Sequence, residues 1–144
     1  MFNDPAFAAT WSPRLLAVLR IVTGYMFLLH GTSKLLGWPH VAMFDNLQLM
    51  SLIGFAGMLE LVGGFLVLVG AFTRPVAFVL SGEMAAAYFI GHASRGSPFV
   101  PMLNQGEAAV LYCFIFLYFA AAGAGAWSVD AARGGTPRAA APMR

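Results

Sequence analysis

Residues 14–36 read RLLAVLRIVTGYMFLLHGTSKLL. As an α-helix rising 1.5 Å per residue, this stretch is about 34 Å long, enough to cross the ~30 Å hydrocarbon core of a bilayer. Its polar residues are gathered on one side. On a helical wheel Arg20, Thr23, Gly24, Phe27, His30, Gly31 and Lys34 fall within a sector of about 120°, and Leu, Ile, Val, Met and Phe make up most of the remainder. Such a helix is amphipathic in the inverted sense, with charged and small residues toward neighbouring helices and bulky apolar ones toward lipid. The run is too long for the apolar region of a cleaved signal peptide, and no small-x-small site follows in GWPHVAM, so it reads as a retained helix.

Three more apolar segments follow: SLIGFAGMLELVGGFLVLVGA at 51–71, PVAFVLSGEMAAAYFIG at 75–91 and GEAAVLYCFIFLYFAAAGAGA at 106–126. None alternates as a membrane barrel strand must. Composition agrees, since 60% of the 144 residues are hydrophobic and 10% charged, against about 45–50% and about 25% in soluble domains. A small soluble enzyme could not hide that much apolar surface, and a disordered chain would not carry it. A disulfide scaffold is excluded because Cys113 is the only cysteine. The expected fold is an all-α membrane protein, a four-transmembrane-helix antiparallel bundle. It forms one domain over residues 1–130, with helices at about 14–36, 51–71, 75–91 and 106–126, and the Ala-, Gly-, Pro- and Arg-containing residues 131–144 form a disordered cytoplasmic tail.

The short link Phe72-Thr73-Arg74-Pro75 places proline at a first helical position and makes the second and third segments an antiparallel hairpin. With four crossings, Arg14, Arg74, Arg133, Arg138 and Arg144 share one side, and only Lys34 and Arg95 fall on the other. The excess predicts both termini on the cytoplasmic face of an inner (plasma) membrane. Trp11, Trp38 and Trp127 lie at the predicted helix ends, as an aromatic belt requires. The basic residues form no stripe with aromatics, so the bilayer rather than nucleic acid is the expected partner.

Acidic residues inside the segments point to a site. Glu60 shares a face with Ala56 and Gly64, and Glu83 with Ala86 and Ala87. Either would cost several kcal/mol facing lipid, so both must face the bundle. Counting residues from the cytoplasmic side puts Arg20, Glu83 and Glu60 at depths of roughly 9, 12 and 16 Å, which predicts a structural ion pair between Arg20 and Glu83. That pair is read in three ways: a lock between helices, a proton or substrate relay, or a support for a pocket. A second polar layer, His30, Lys34, His92, Asn104 and Glu107, is expected at one depth beneath the outer loops. Each member also has a plainer reading, such as a helix-capping charge for Glu107 or snorkelling to the headgroups for Lys34. His30, His92, Glu60 and Glu107 are capable metal ligands, but no two stand at ligand spacing, so no metal is expected. No glycine-rich phosphate loop is present, and a lone Cys113 cannot cycle an internal disulfide.

Arg20 followed by His30-Gly31-x-x-Lys34 resembles the first helix of DoxX-like membrane proteins. Glu60-x-x-Gly63-Gly64, Gly70-x-x-Thr73-Arg74, the Ala-rich third helix, Gly106-Glu107 and Gly123-x-Gly125-x-x-Ser128-x-Asp130 continue the likeness over residues 14–130. The resemblance implies a four-helix inner-membrane bundle whose relatives are described as oxidoreductases or redox-associated subunits. Some are similar to the membrane subunit of a thiosulfate:quinone oxidoreductase, and others are linked with quinone detoxification or thiol-stress complexes. Carried over, Arg20, His30, Lys34, Glu60 and Glu107 are the family's polar positions, which marks a site without naming its reaction.

The expected function is a redox-associated subunit with an intramembrane pocket for a quinone-like or other small apolar molecule. The polar candidates are His30, Lys34, Glu60, Glu83, His92, Asn104 and Glu107, with Phe27, Tyr88 and Tyr112 as walls. No residue is assigned as catalytic, and no electron-transfer cofactor is evident in the chain. A quinone fits the reading, with electrons coming from a soluble or membrane redox partner. Two alternatives stay open. One is a non-catalytic membrane anchor or scaffold for a soluble enzyme, its buried charges serving helix specificity. The other is a small proton-linked carrier using Glu60 and Glu83, which the absence of an internal repeat disfavours.

Overall fold

A computed structural model describes residues 4–134. These form helices α1 (Pro5–Leu36), α2 (Leu52–Val69), α3 (Thr73–Ala87), α4 (Glu107–Ala122) and the short α5 (Val129–Ala132), with no strand among the described residues. Three stretches, Pro5–Leu36, Leu52–Val69 and Thr73–Arg95, are long and apolar enough to cross a membrane, and Glu107–Ala122 is apolar but shorter.

Local chemistry sets the helix ends. Asp4 caps α1 by accepting the Ala6 N–H at 2.9 Å, and Pro5 occupies the first turn. The helix therefore begins nine residues before the expected start at Arg14, and Trp11 lies within it rather than at its end. A hydropathy reading passes over this cap because residues 5–13 are not needed for a crossing. Gly37, in the left-handed conformation, ends α1, and Ser51 caps α2 through the Gly54 N–H at 3.1 Å. α3 runs on into a π-helical turn at Tyr88–His92 and a 3-10 turn at Ala93–Arg95. Ala131 and Ala132, assigned to the tail from sequence, belong to α5, and the remainder of that expected tail, from 135, lies outside the described residues.

α1 packs along α2 and α3 along α4, whereas α2 and α3, although consecutive, approach each other less. Glycines bring α1 and α2 together. A Cβ on Gly24 would stand 2.6 Å from the backbone nitrogen of Leu68, one on Gly64 would stand 2.8 Å from that of Leu28, and one on Gly31 would collide with the backbone of Leu61. Any side chain there would push the helices apart. The two helix pairs meet through rings instead. Phe27 of α1 packs edge-on against Phe116 of α4 at 4.8 Å and lies 5.3 Å from Tyr112, and Leu80, Val67 and Phe119 complete this core. Large apolar side chains such as Val22, Met26, Phe65, Phe78 and Phe114 point outward on all four long helices. That ring of exposed apolar surface far exceeds what a soluble monomer carries.

Candidate functional site

Two groups of buried polar side chains lie at opposite ends of the helices. At the end carrying the α2–α3 turn, Arg20 is wholly buried and every one of its nitrogens has a carbonyl. Nε donates to Ala124 at 2.8 Å. Nη1 donates to Val67 at 2.8 Å and Leu68 at 2.5 Å, and Nη2 donates to Trp127 at 2.8 Å and Ala126 at 3.4 Å. The last carbonyls of a helix have no partner within it and carry partial negative charge, which a guanidinium satisfies. Arg74 does the same for α4, donating to Ala120 at 3.2 Å and Ala121 at 2.5 Å. Asp130 closes the turn by accepting the N–H groups of Phe72 at 2.8 Å and Thr73 at 2.9 Å. Burial works against its charged form, but those two N–H groups and the nearby Arg133 outweigh it and hold the carboxyl below its ordinary pKa.

The predicted Arg20–Glu83 ion pair is therefore not made. Arg20 stands level with Val67 and Leu68 in the last turn of α2, whereas Glu83 lies ten residues beyond the start of α3, about 15 Å deeper. Counting depth from Arg14 as the membrane edge misplaced the arginine.

The cation inside the second group is Lys34. Its Nζ lies 2.5 Å from both carboxylate oxygens of Glu60, which is almost entirely buried in the middle of α2. Gly57, one turn before Glu60, makes room: a Cβ there would lie 3.1 Å from Cβ of Lys34. Glu83 reaches the same depth from α3, where both Lys34 and Glu60 act on it electrostatically. Both Glu83 oxygens are buried and have no hydrogen-bond partner among the described residues.

Lys34, Glu60, Glu83 and His92 border a single cavity of about 540 Å³ between α2 and α3, whose other walls include Ile53, Phe55, Leu59, Met84 and Ile90. It occupies the space where the two helix pairs diverge. His92 stands at its far end on the π-helical turn, an inserted residue that re-aims the side chains following it. Its Nδ1 lies 3.1 Å from the Asn104 carbonyl oxygen.

The remaining predicted residues do not join this cavity. Asn104 is buried, but its amide is used in holding the 96–106 connection: it donates to the Tyr88 hydroxyl at 3.2 Å and the Ser97 carbonyl at 3.1 Å, and accepts from the Gly106 N–H at 2.9 Å. Tyr88 in turn donates to Pro98. Glu107 is exposed in the first turn of α4, where a negative charge suits the helix dipole. His30 is exposed on a separate groove with Met26, Leu29 and Ser33, edge-on to Tyr112 at 6.1 Å. Phe27 and Tyr112 serve the core rather than the cavity wall, and Phe55 supplies the ring expected of them. Sequence reading also passed over Phe44, whose ring lies 5.7 Å from the Lys34 ammonium. Among the described residues no group of three or more His, Cys, Asp or Glu is placed to hold a metal ion.

Comparison with known proteins identifies the family. The DoxX family model matches residues 15–93, more than half of the chain. The chain belongs to the DoxX family. A Haemophilus influenzae protein named only "Uncharacterized protein" is 47% identical over 127 residues, covering 83% of this chain and 91% of its own. The Bacillus subtilis protein named "Putative oxidoreductase CatD" is 29% identical over 115 residues, covering 78% and 82%. No solved structure matches the chain significantly. This DoxX protein is thus a membrane protein.

Proposed function

We propose that this DoxX protein is a redox-associated subunit whose cavity binds a quinone-like ring, in a chain crossing the inner membrane four times with both termini cytoplasmic. The reading is carried by Glu83: a buried carboxyl with both oxygens unpartnered, beside Lys34 and Glu60 in a cavity whose other walls, His92 apart, are apolar. An unsatisfied buried polar group costs about 1–3 kcal/mol, a cost that a ligand hydroxyl or carbonyl would relieve. The volume lies in the range of small-molecule pockets, and a few polar groups in an apolar lining suit a ring with oxygens at its edge.

A quinone, when bound, supplies two-electron, two-proton redox capacity. Lys34 retains an N–H beyond those turned to Glu60 and would donate it to a ring oxygen. Glu83 would hold or pass a proton at the same oxygen, and Ile53, Phe55 and Met84 would exclude water from the ring. Electrons would come from a partner protein, because the single Cys113 has no second thiol with which to cycle. The relative named as an oxidoreductase supports this class of reaction.

Titration of the protein in lipid nanodiscs with a short-tailed benzoquinone tests the proposal. Saturable binding that weakens in Glu83→Gln supports it. Absence of saturable binding overturns it, and co-purification of a soluble enzyme in that case would favour a membrane anchor.

A further inference from the structure

A second chamber, of about 380 Å³, lies under the connection between α1 and α2. Its lining is more polar than that of the cavity, with Ser33, Lys34, His40 and Asp45 set among Leu35, Val41, Phe44, Leu47 and Leu49. Lys34 borders both spaces. Its side chain is 12% exposed, and the Phe44 ring lies over its ammonium. Ser33 is buried between the chamber and the His30 groove, and its hydroxyl has no partner among the described residues. A polar space of this size accommodates water, which would satisfy that hydroxyl. His40 and Asp45 form an exposed pair at 2.8 Å on the rim. The cavity beyond Lys34 is bordered by Ile53, Phe55 and Ile90, which are exposed on the outer, lipid-facing surface.

We infer that the chamber is an aqueous port to the Lys34–Glu60 pair, and that the Lys34 side chain is the partition between this port and the apolar cavity. The port deepens the reading of the cavity as a ligand site, because a proton gained or lost by a ring oxygen inside lipid needs a route to water. Glu60 faces the cavity, Lys34 faces both spaces, and chamber water meets Lys34. Lys34 gives a proton to chamber water, a ligand hydroxyl in the cavity gives one to the Glu60 carboxylate, and Glu60 passes it to the Lys34 amine. The net result is the transfer of one proton with the pair unchanged.

The test uses the full chain in vesicles, in a Cys113→Ala background, with a charged thiosulfonate reagent on both sides and the mass shift as readout. Leu47 borders the chamber and not the cavity, so Leu47→Cys reports the chamber and Ala87→Cys the cavity. Leu47→Cys is expected to react at least tenfold faster than Ala87→Cys. Adding Lys34→Ala together with Glu60→Gln, so that no carboxylate is left unpaired, should raise the Ala87→Cys rate at least tenfold. An unreactive Leu47→Cys, an Ala87→Cys that reacts as fast with Lys34 present, or one that stays unreactive without it overturns the inference. None of these outcomes bears on quinone binding. Failure of the benzoquinone titration with this labelling pattern intact would remove the proposed ligand and leave the port standing.

Discussion

Arg20 and Glu83 are both ionisable, both enclosed by apolar helices, and were expected to neutralise each other. Arg20 instead meets five carbonyl oxygens from α2 and the segment after α4. Glu83 meets none of the donors around it and borders a cavity. The turn end of the molecule is a closed network in which two arginines and an aspartate satisfy the ends of three helices. At the opposite end, one lysine serves one glutamate and leaves the other unserved. A buried charge therefore says little about function until its hydrogen bonds are counted: complete satisfaction marks structure, and incomplete satisfaction beside a cavity marks a place for something else.

The largest effect that would test this contrast is at Arg20. Arg20→Met strips the donor from five carbonyls, and each lost charge-assisted bond is worth about 1.5–3 kcal/mol. The variant is expected to lose more than about 4 kcal/mol and to run as aggregate on size exclusion in detergent. An Arg20→Met protein that elutes and melts like the wild type would break the comparison. Lys34→Met comes next, with an expected loss of about 3 kcal/mol because Glu60 is left buried and unpaired. Replacing both partners, Lys34→Met with Glu60→Leu, should return the melting point to within about 1 kcal/mol of wild type while abolishing benzoquinone binding. Thermal unfolding of the single and double variants provides the check.

Much of this was legible in residues. The inverted amphipathicity of 14–36 put Arg20 and Lys34 on the interior, and Glu60 and Glu83 could face nowhere else. Depth and partner were not legible. Hydropathy does not fix how far one helix slides along another, and Arg20 bonds to the irregular segment 124–127, which no periodicity describes. A usable signal was present in the spacing of Gly24 and Gly31 on α1 against Gly57 and Gly64 on α2, each pair seven residues apart. In the structure the two stripes interleave rather than coincide: Gly24 meets Leu68 and Gly31 meets Leu61, while Gly64 meets Leu28 and Gly57 meets Lys34. The expected outer layer failed for a different reason. The 96–106 connection recruits Asn104 and Tyr88 for its own hydrogen bonds, and Glu107 begins its helix facing away.

A sharper test of the open end is Glu83→Gln. With no internal hydrogen bonds to lose, it is expected to change stability by less than about 1 kcal/mol. Benzoquinone affinity should fall at least tenfold, equivalent to about 1.4 kcal/mol. A large loss of stability without loss of binding would reassign Glu83 to the structural class that Arg20 represents.

The smallest effect belongs to Asp130, at the closed end. Its folded pKa lies below the unfolded value, so the charged carboxylate stabilises the fold fully above the ordinary aspartate range. That stabilisation is lost as pH falls through the lowered folded value. The share of stability due to Asp130 should therefore be constant from neutral pH down to about pH 4 and decline below it, so that the difference between the wild type and Asp130→Asn shrinks in acid. The side chain is accessible to solvent, so its share is expected to stay below about 1 kcal/mol after screening. Melting temperatures of the two proteins between pH 3 and pH 7 decide the point. Identical acid profiles would mean that the charge of Asp130 adds nothing to the α2–α3 turn, and that the closed network has two charged members rather than three.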